Sequence, residues 1–242
     1  MTTRLRRTLV TVAEVREAAE TLLEPVPDGP DLDGLSAALI RLAVHASVCT
    51  LDPAGIDDAV CRALDAGATP EQVQETLVLV SALGVHTLME GTRRLSAILR
   101  ERGTPAAPID EERAGLRSRL HGDDPYWADF DREIPGFLDA LLEHSPDAYQ
   151  AFFAYCALPW RSGTVRGRLK ELIAMACDAT PTHRYLPGVR LHLANAVRLG
   201  AGRIAVRRAL DIAAAAPSHP GVPAAECDGR VRAGCPHPVP LI

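Results

Sequence analysis

Aromatic residues are scarce in this 242-residue chain, with Phe, Trp and Tyr together at 4%. Few aromatics and abundant Ala argue against a sheet core and for closely packed helices. An excess of positive charge is also missing. The net charge is −5, which gives no electrostatic basis for a nucleic-acid partner. No apolar run approaches the roughly 18 residues of a membrane span, so no membrane partner is expected. The basic cluster Arg4, Arg6 and Arg7 is followed by Glu14, Glu17 and Glu20 instead of an apolar stretch. It reads as the approach to an amphipathic helix and not as a targeting peptide. Six cysteines occur, none in a CxxC pair. Without a secretion signal these are expected to be reduced, mostly buried thiols in a cytoplasmic protein.

What the chain does contain is a copy of part of itself. Setting Leu39 against Leu172, an offset of 133, gives a register that runs without a gap to His86 against His219. Identities along it include Ile40/Ile173, Ala43/Ala176, Gly55/Gly188, Ala63/Ala196, Gly67/Gly200 and Val73/Val206. Ala-rich helices match by chance at some positions, but not in a register that also pairs two glycines and a histidine. Each copy reads as three helices. In the second these are about 168–179, from Pro187 to about 199 with Gly200 as the stop, and about 203–216. In the first they are about 36–48, 56–65 and 70–83, the last opening on Thr69-Pro70-Glu71-Gln72, a capping signature. The fold class expected is all-α, with two tandem helical units related by a pseudo-repeat. The organisation expected is a first, degenerate unit over 1–103 and a linker with connecting helices over 104–158. A second unit bearing the site follows over 159–223, and a Gly-, Pro- and Cys-rich tail over 224–242. Helices are expected at about 135–143 and 146–156 in the connecting stretch.

The second copy carries Pro159-Trp160-Arg161-Ser162-Gly163, Lys170-Glu171-Leu172-Ile173-Ala174, Thr182-His183-Arg184-Tyr185-Leu186-Pro187-Gly188-Val189-Arg190-Leu191-His192, Asn195-Ala196 and Gly200-Ala201. This resembles the carboxymuconolactone decarboxylase family, also called alkylhydroperoxidase D-like. The first copy matches more weakly through Ala63-Leu64 and Gly67-Ala68-Thr69-Pro70-Glu71. The resemblance implies a tandem form of the family, an assembly of three or six chains, and a site between helices built on a Glu and a His. Glu171 and His192 hold the matching positions. The peroxidase branch places a CxxC ahead of that His. Here the two slots are Tyr185 and Gly188, so thiol peroxidase chemistry, which needs a thiolate and a resolving thiol, is disfavoured.

The repeat weighs the candidates. His192 falls in an apolar stripe, where a lone His is ordinarily a hydrogen-bonded core residue. Its counterpart is Ala59, and that of Glu171 is Ala38. The fold therefore packs without either group, and burying an imidazole and a carboxylate calls for another reason. Loss of both together in the first copy marks them as a unit, with the carboxylate fixing the ring's tautomer and raising its basicity. His183, opposite Thr50, lies in the loop before the helix and reads as a substrate contact or a surface His. His219 is matched by His86, which favours a structural job shared by both copies, such as tying a helix end to neighbouring backbone; His219 is also a candidate substrate contact lining the site. Arg161 and Arg184 are candidates for a substrate carboxylate, with Trp160 and Tyr185 beside them. Arg190, two positions from His192, points to another face. No metal site is expected, because His183, His192, His219 and Glu171 show no compact ligand spacing.

The function the resemblance implies is a cofactor-independent lyase acting on a small carboxylated lactone or unsaturated acid. His192 would supply a proton to carbon and Glu171 would orient it. The same pair is compatible with isomerisation or cyclisation. A non-catalytic, ligand-binding helical oligomer is the alternative of a different class.

Overall fold

The computed structural model describes residues 10–104 and 108–222. The tail expected over 224–242 and the cluster Arg4, Arg6 and Arg7 lie outside the described residues. No strand occurs among those described. The first repeat contains α2 (Gly34–Ala46), α3 (Pro53–Asp65) and α4 (Pro70–Ser81), preceded by α1 (Val12–Leu23) and followed by α5 (Val85–Glu101). The connecting region forms α6 (Glu111–Leu120), α7 (Pro125–Glu133), α8 (Phe137–His144), α9 (Pro146–Cys156) and the short α10 (Leu158–Arg161). The second repeat is α11 (Gly167–Asp178), α12 (Leu186–Arg198) and α13 (Arg203–Ala214). The first residues of α2 and α11, α3 and α12, and α4 and α13 are each 133 apart. The pseudo-repeat read in the sequence is thus a repeat of structure.

Local chemistry sets these boundaries. Thr11 and Glu14 form a capping box that opens α1, and Thr69 with Gln72 forms one for α4, with Pro70 in its first turn. Gly67 and Gly200 end α3 and α12 in the left-handed region, at φ 90 and 88, where a side chain would be strained. Helix α3 begins earlier than the expected Ile56 because Pro53 supplies a first-turn residue with no N–H to satisfy. Helix α8 begins two residues later than expected because Gly136, at φ 72, precedes it. Helix α13 has no capping side chain. Its Arg203 and Ile204 N–H groups instead donate to the carbonyls of Pro27 and Asp28 at 2.9 and 3.0 Å. That approach requires Gly202, since a Cβ there would sit 2.7 Å from the Gly29 Cα and overlap the Asp28 carbonyl oxygen.

The two copies pack by exchange of partners. Helix α2 lies against α11, α2 also against α13, and α11 against α4. Swapping the copies reproduces this pattern, as in a two-fold interface within one chain. Leu39, Ile40 and Ala43 and their counterparts Leu172, Ile173 and Ala176 are buried at its centre. Full burial of each Leu or Ile contributes about 1.5–3 kcal/mol. A second cluster forms around the connecting helices and gathers all four phenylalanines, Phe130, Phe137, Phe152 and Phe153. Met89 from the first repeat and Tyr185 and Leu191 from the second join it. The few aromatics are thus concentrated where the two repeats and the connecting helices meet.

One buried ion pair fastens this junction. Lys170 Nζ on α11 lies 2.5 Å from Glu75 Oε1 on α4. The same Nζ donates to the carbonyls of Pro159 and Ser162 at 2.5 and 2.9 Å. Glu75 Oε2 accepts from Ser162 Oγ at 2.6 Å and Val165 N at 3.2 Å, and also from Thr164 Oγ1. The segment from Pro159 to Val165 is therefore held between α4 and α11, and it presents Trp160 and Arg161.

Candidate active site

Glu171 and Asp178 stand seven residues apart on α11, two helical turns, and so share a face. His192 projects from α12 onto that face. His192 Nδ1 lies 2.7 Å from Glu171 Oε2, and its Nε2 lies 4.0 Å from Asp178 Oδ2. The imidazole is bracketed by two carboxylates. Burial alone would lower the pKa of His192. The hydrogen bond and charge of Glu171, with the charge of Asp178, outweigh burial and leave it raised. Asp178 is 1% exposed, and neither of its side-chain oxygens has a hydrogen-bond partner. Burial pushes its carboxyl up to about 7, with the charge of His192 pulling the other way.

The paired glycines have their explanation here. A Cβ on Gly188 would overlap Asp178 Oδ2 and stand 2.8 Å from its Cγ. Gly188 makes room for a side chain at the end of α11. In the first copy the position of Asp178 is His45, and a Cβ on Gly55 would overlap the ring of His45 and the carboxylate of Asp52, which are paired at 3.1 Å. The loops that follow α2 and α11 also repeat, with Leu51 and Arg184 at the same place and both at positive φ, 34 and 48.

A cluster of imidazoles adjoins the pair. His86 Nδ1 and His183 Nε2 are 2.8 Å apart. Each is close to Asp178 Oδ1, at 3.7 and 3.6 Å. His183 Nδ1 is 3.1 Å from Cys49 Sγ, and Tyr185 stacks on His86 with ring centroids 4.0 Å apart. Burial, then the nearby His183 and His192, lower the pKa of His86 to about 3, and burial lowers that of His183. Both shifts favour the neutral imidazole. Cys49, Cys156 and Cys177 are free thiols, all raised by burial, the reverse of a peroxidatic thiolate.

A cavity of about 100 Å³ lies against His86, Asp178 and His192, closed by Met89, Tyr126 and Trp160. A more open groove of about 970 Å³ shares Tyr126, Trp127, Cys156 and Trp160 with it. Glu171, Asn195, Arg119, Arg161 and Arg198 line that groove. Asn195 is buried, and neither its Oδ1 nor its Nδ2 has a partner.

This helical arrangement matches a solved structure from Burkholderia xenovorans LB400, a candidate gamma-carboxymuconolactone decarboxylase subunit. The identity is 35% and the TM-score 0.65, over 75% of this chain and 71% of that one. The chain belongs to the carboxymuconolactone decarboxylase family. No family model and no curated protein matches it.

Measured against the family site expected from the sequence, Glu171, His192, His183 and Tyr185 come together. Trp160 and Arg161 line the groove beside them, and Arg161 is exposed. Two expected residues do not come to the site. His219 is exposed and accepts from the Gly221 N–H at 2.9 Å, because α13 ends at Ala214 and the chain leaves the bundle. Arg184 is also exposed, at the left-handed corner of its loop. Arg190 pairs with Glu133 at 2.9 Å. The shared structural role expected for His86 and His219 is not found: His86 opens α5 and is in the cluster, whereas His219 is at the surface. Sequence reasoning missed Asp178, His86, Cys49 and Asn195. The one signal for Asp178 was the repeated glycine, which in each copy vacates space for the side chain at the end of the preceding helix.

Proposed function

We propose that this chain is an acid–base lyase of the carboxymuconolactone decarboxylase type, acting on a small carboxylated lactone or unsaturated acid. The observation that carries the reading is the 2.7 Å Glu171–His192 hydrogen bond, with His192 at the wall of a small cavity and Glu171 on the adjoining groove. With Nδ1–H held by Glu171, the protonated ring presents Nε2–H toward the cavity. The substrate carboxylate, held out of conjugation, leaves as CO2. The electron pair of the broken C–C bond passes into the neighbouring unsaturated carbonyl. His192 then delivers the Nε2 proton to carbon and is reprotonated by solvent. Arg119 and Arg161 supply positive charge that attracts the acid into the groove, and Asn195 offers both a donor and an acceptor to hold it. We further propose that the chain works as a homo-oligomer, of three or six copies.

The test is turnover of carboxylated lactones by wild type, His192→Ala and Glu171→Gln, followed as CO2 release. General acid catalysis predicts a loss of about 10²–10⁴-fold in kcat for His192→Ala with helical content unchanged. A His192→Ala protein that turns over its substrate at the wild-type rate would sink the assignment. Isomerisation or cyclisation without CO2 release would keep the pair and change the reaction.

A further inference from the structure

We propose that His86, Asp178 and His183 form a binding site for one divalent transition-metal ion, of the zinc or ferrous-iron class. The site is independent of the lyase reading. The argument begins with three atoms, His86 Nδ1, His183 Nε2 and Asp178 Oδ1. Their separations are 2.8, 3.7 and 3.6 Å. The circle through three points so spaced has a radius of about 2.0 Å, and zinc–imidazole and zinc–carboxylate bonds are about 2.0–2.2 Å long. An ion fits among the three atoms with little movement of any side chain.

The chemistry of each donor fits as well. Two imidazole nitrogens facing each other at hydrogen-bond distance need a proton or a cation between them. Asp178 is buried with both oxygens unpartnered, a costly arrangement that a bound cation relieves. One outer contact is compatible with ligation, with His183 Nδ1–H donating to sulfur. His183 turns its other ring nitrogen to Cys49 Sγ at 3.1 Å, and Thr182 Oγ1 donates to the Cys49 carbonyl at 3.0 Å. A ligating His held through its second nitrogen keeps the tautomer that points its lone pair at the ion.

Two imidazoles and one carboxylate leave coordination positions open. His86 and Asp178 both line the small cavity, so those positions face the space beside His192, where water or a substrate oxygen would bind. Sequence spacing argued against a metal because the donors come from two distant segments, the start of α5 and the end of α11 with the loop that follows it. Only the packing of one repeat on the other assembles them.

The experiment uses the full chain, stripped with a chelator and titrated with Co2+ under anaerobic conditions, then challenged with Zn2+. The expected result is one equivalent of Co2+ per chain with visible d–d absorption, displaced by Zn2+. His86→Ala and His183→Ala should each weaken binding by about 100-fold or more, beyond the 10–100-fold typical of outer-shell losses. His219→Ala and His45→Ala, which alter histidines away from the cluster, should bind as wild type does. Circular dichroism on the same samples verifies folding. Asp178→Asn, which keeps shape and removes charge, provides a second route to the same loss. A wild-type protein that takes up no Co2+ at micromolar concentrations would overturn the proposal and leave a shared proton between the rings. Uptake by His183→Ala and His86→Ala as tight as wild type would overturn it equally, by locating the ion elsewhere.

Discussion

Replacing Gly188 with Ala should destabilise the protein clearly more than replacing Gly55, although the two glycines occupy equivalent positions in the repeat. Both are the third residue of their helices, α12 and α3, so the gain in helix propensity, at most about 1 kcal/mol, is the same for each. The difference lies in what the new methyl meets. At Gly188 it overlaps the carboxylate of Asp178, a side chain 1% exposed and enclosed between helices. Moving it means displacing packed neighbours, and overpacking of this kind costs about 1–3 kcal/mol. At Gly55 the methyl overlaps His45 and Asp52, whose side chains are each 21% exposed and can swing outward, giving up a pair worth about 1 kcal/mol or less. The net expectation is a loss of about 1 kcal/mol for Gly188→Ala, overpacking of about 2 less the propensity gain of about 1, and close to zero for Gly55→Ala. For a chain of this size about 1 kcal/mol moves Tm by roughly 2–4 °C. Gly188→Ala should thus melt roughly 2–4 °C lower, and Gly55→Ala within about 2 °C of wild type. Thermal melts of the three proteins by circular dichroism measure this. Equal losses, or a larger loss for Gly55→Ala, would refute the reasoning that Asp178 is fixed by its burial.

Lys170→Met should cost about 3–5 kcal/mol, read from urea midpoints, because it leaves the Glu75 carboxylate buried without its cation. Adding Glu75→Gln to it should recover much of that loss. Acid stability follows from the same pair. Burial alone would raise the pKa of Glu75, but its bonds to Lys170 and Ser162 and the Lys170 charge leave it lowered from 4.5. Its contribution is therefore present above pH 4.5 and is lost as pH falls through the lower folded value. In acid denaturation curves Glu75→Gln should flatten that limb. Asn195→Leu should raise KM with a smaller effect on kcat if Asn195 holds substrate equally in ground and transition states, as steady-state kinetics on a turned-over acid would show.

The helices were legible because their signals are local. Capping boxes at Thr69, stops at Gly67 and Gly200 and a period of 3.6 act within a few residues, and two copies in one register doubled the signal. The pairing of Glu171 with His192 was also legible, since the first copy shows Ala at both places. His86 misled because identity with His219 looked like a shared task. The residues after α4 continue into α5, whereas those after α13 leave the bundle, so the same letter ends in the interior once and at the surface once.

Pattern and spacing along the chain thus determined which segments of the two repeats are helical and, to within a few residues, where they begin, because backbone capping and left-handed glycines are decided by near neighbours. Which side chains face one another was decided only when α2 docked on α11 and α5 closed over the end of α11. Asp178, His86, His183 and Cys49 are separated by up to 134 residues, and only burial of the shared apolar faces brings them within a few ångströms.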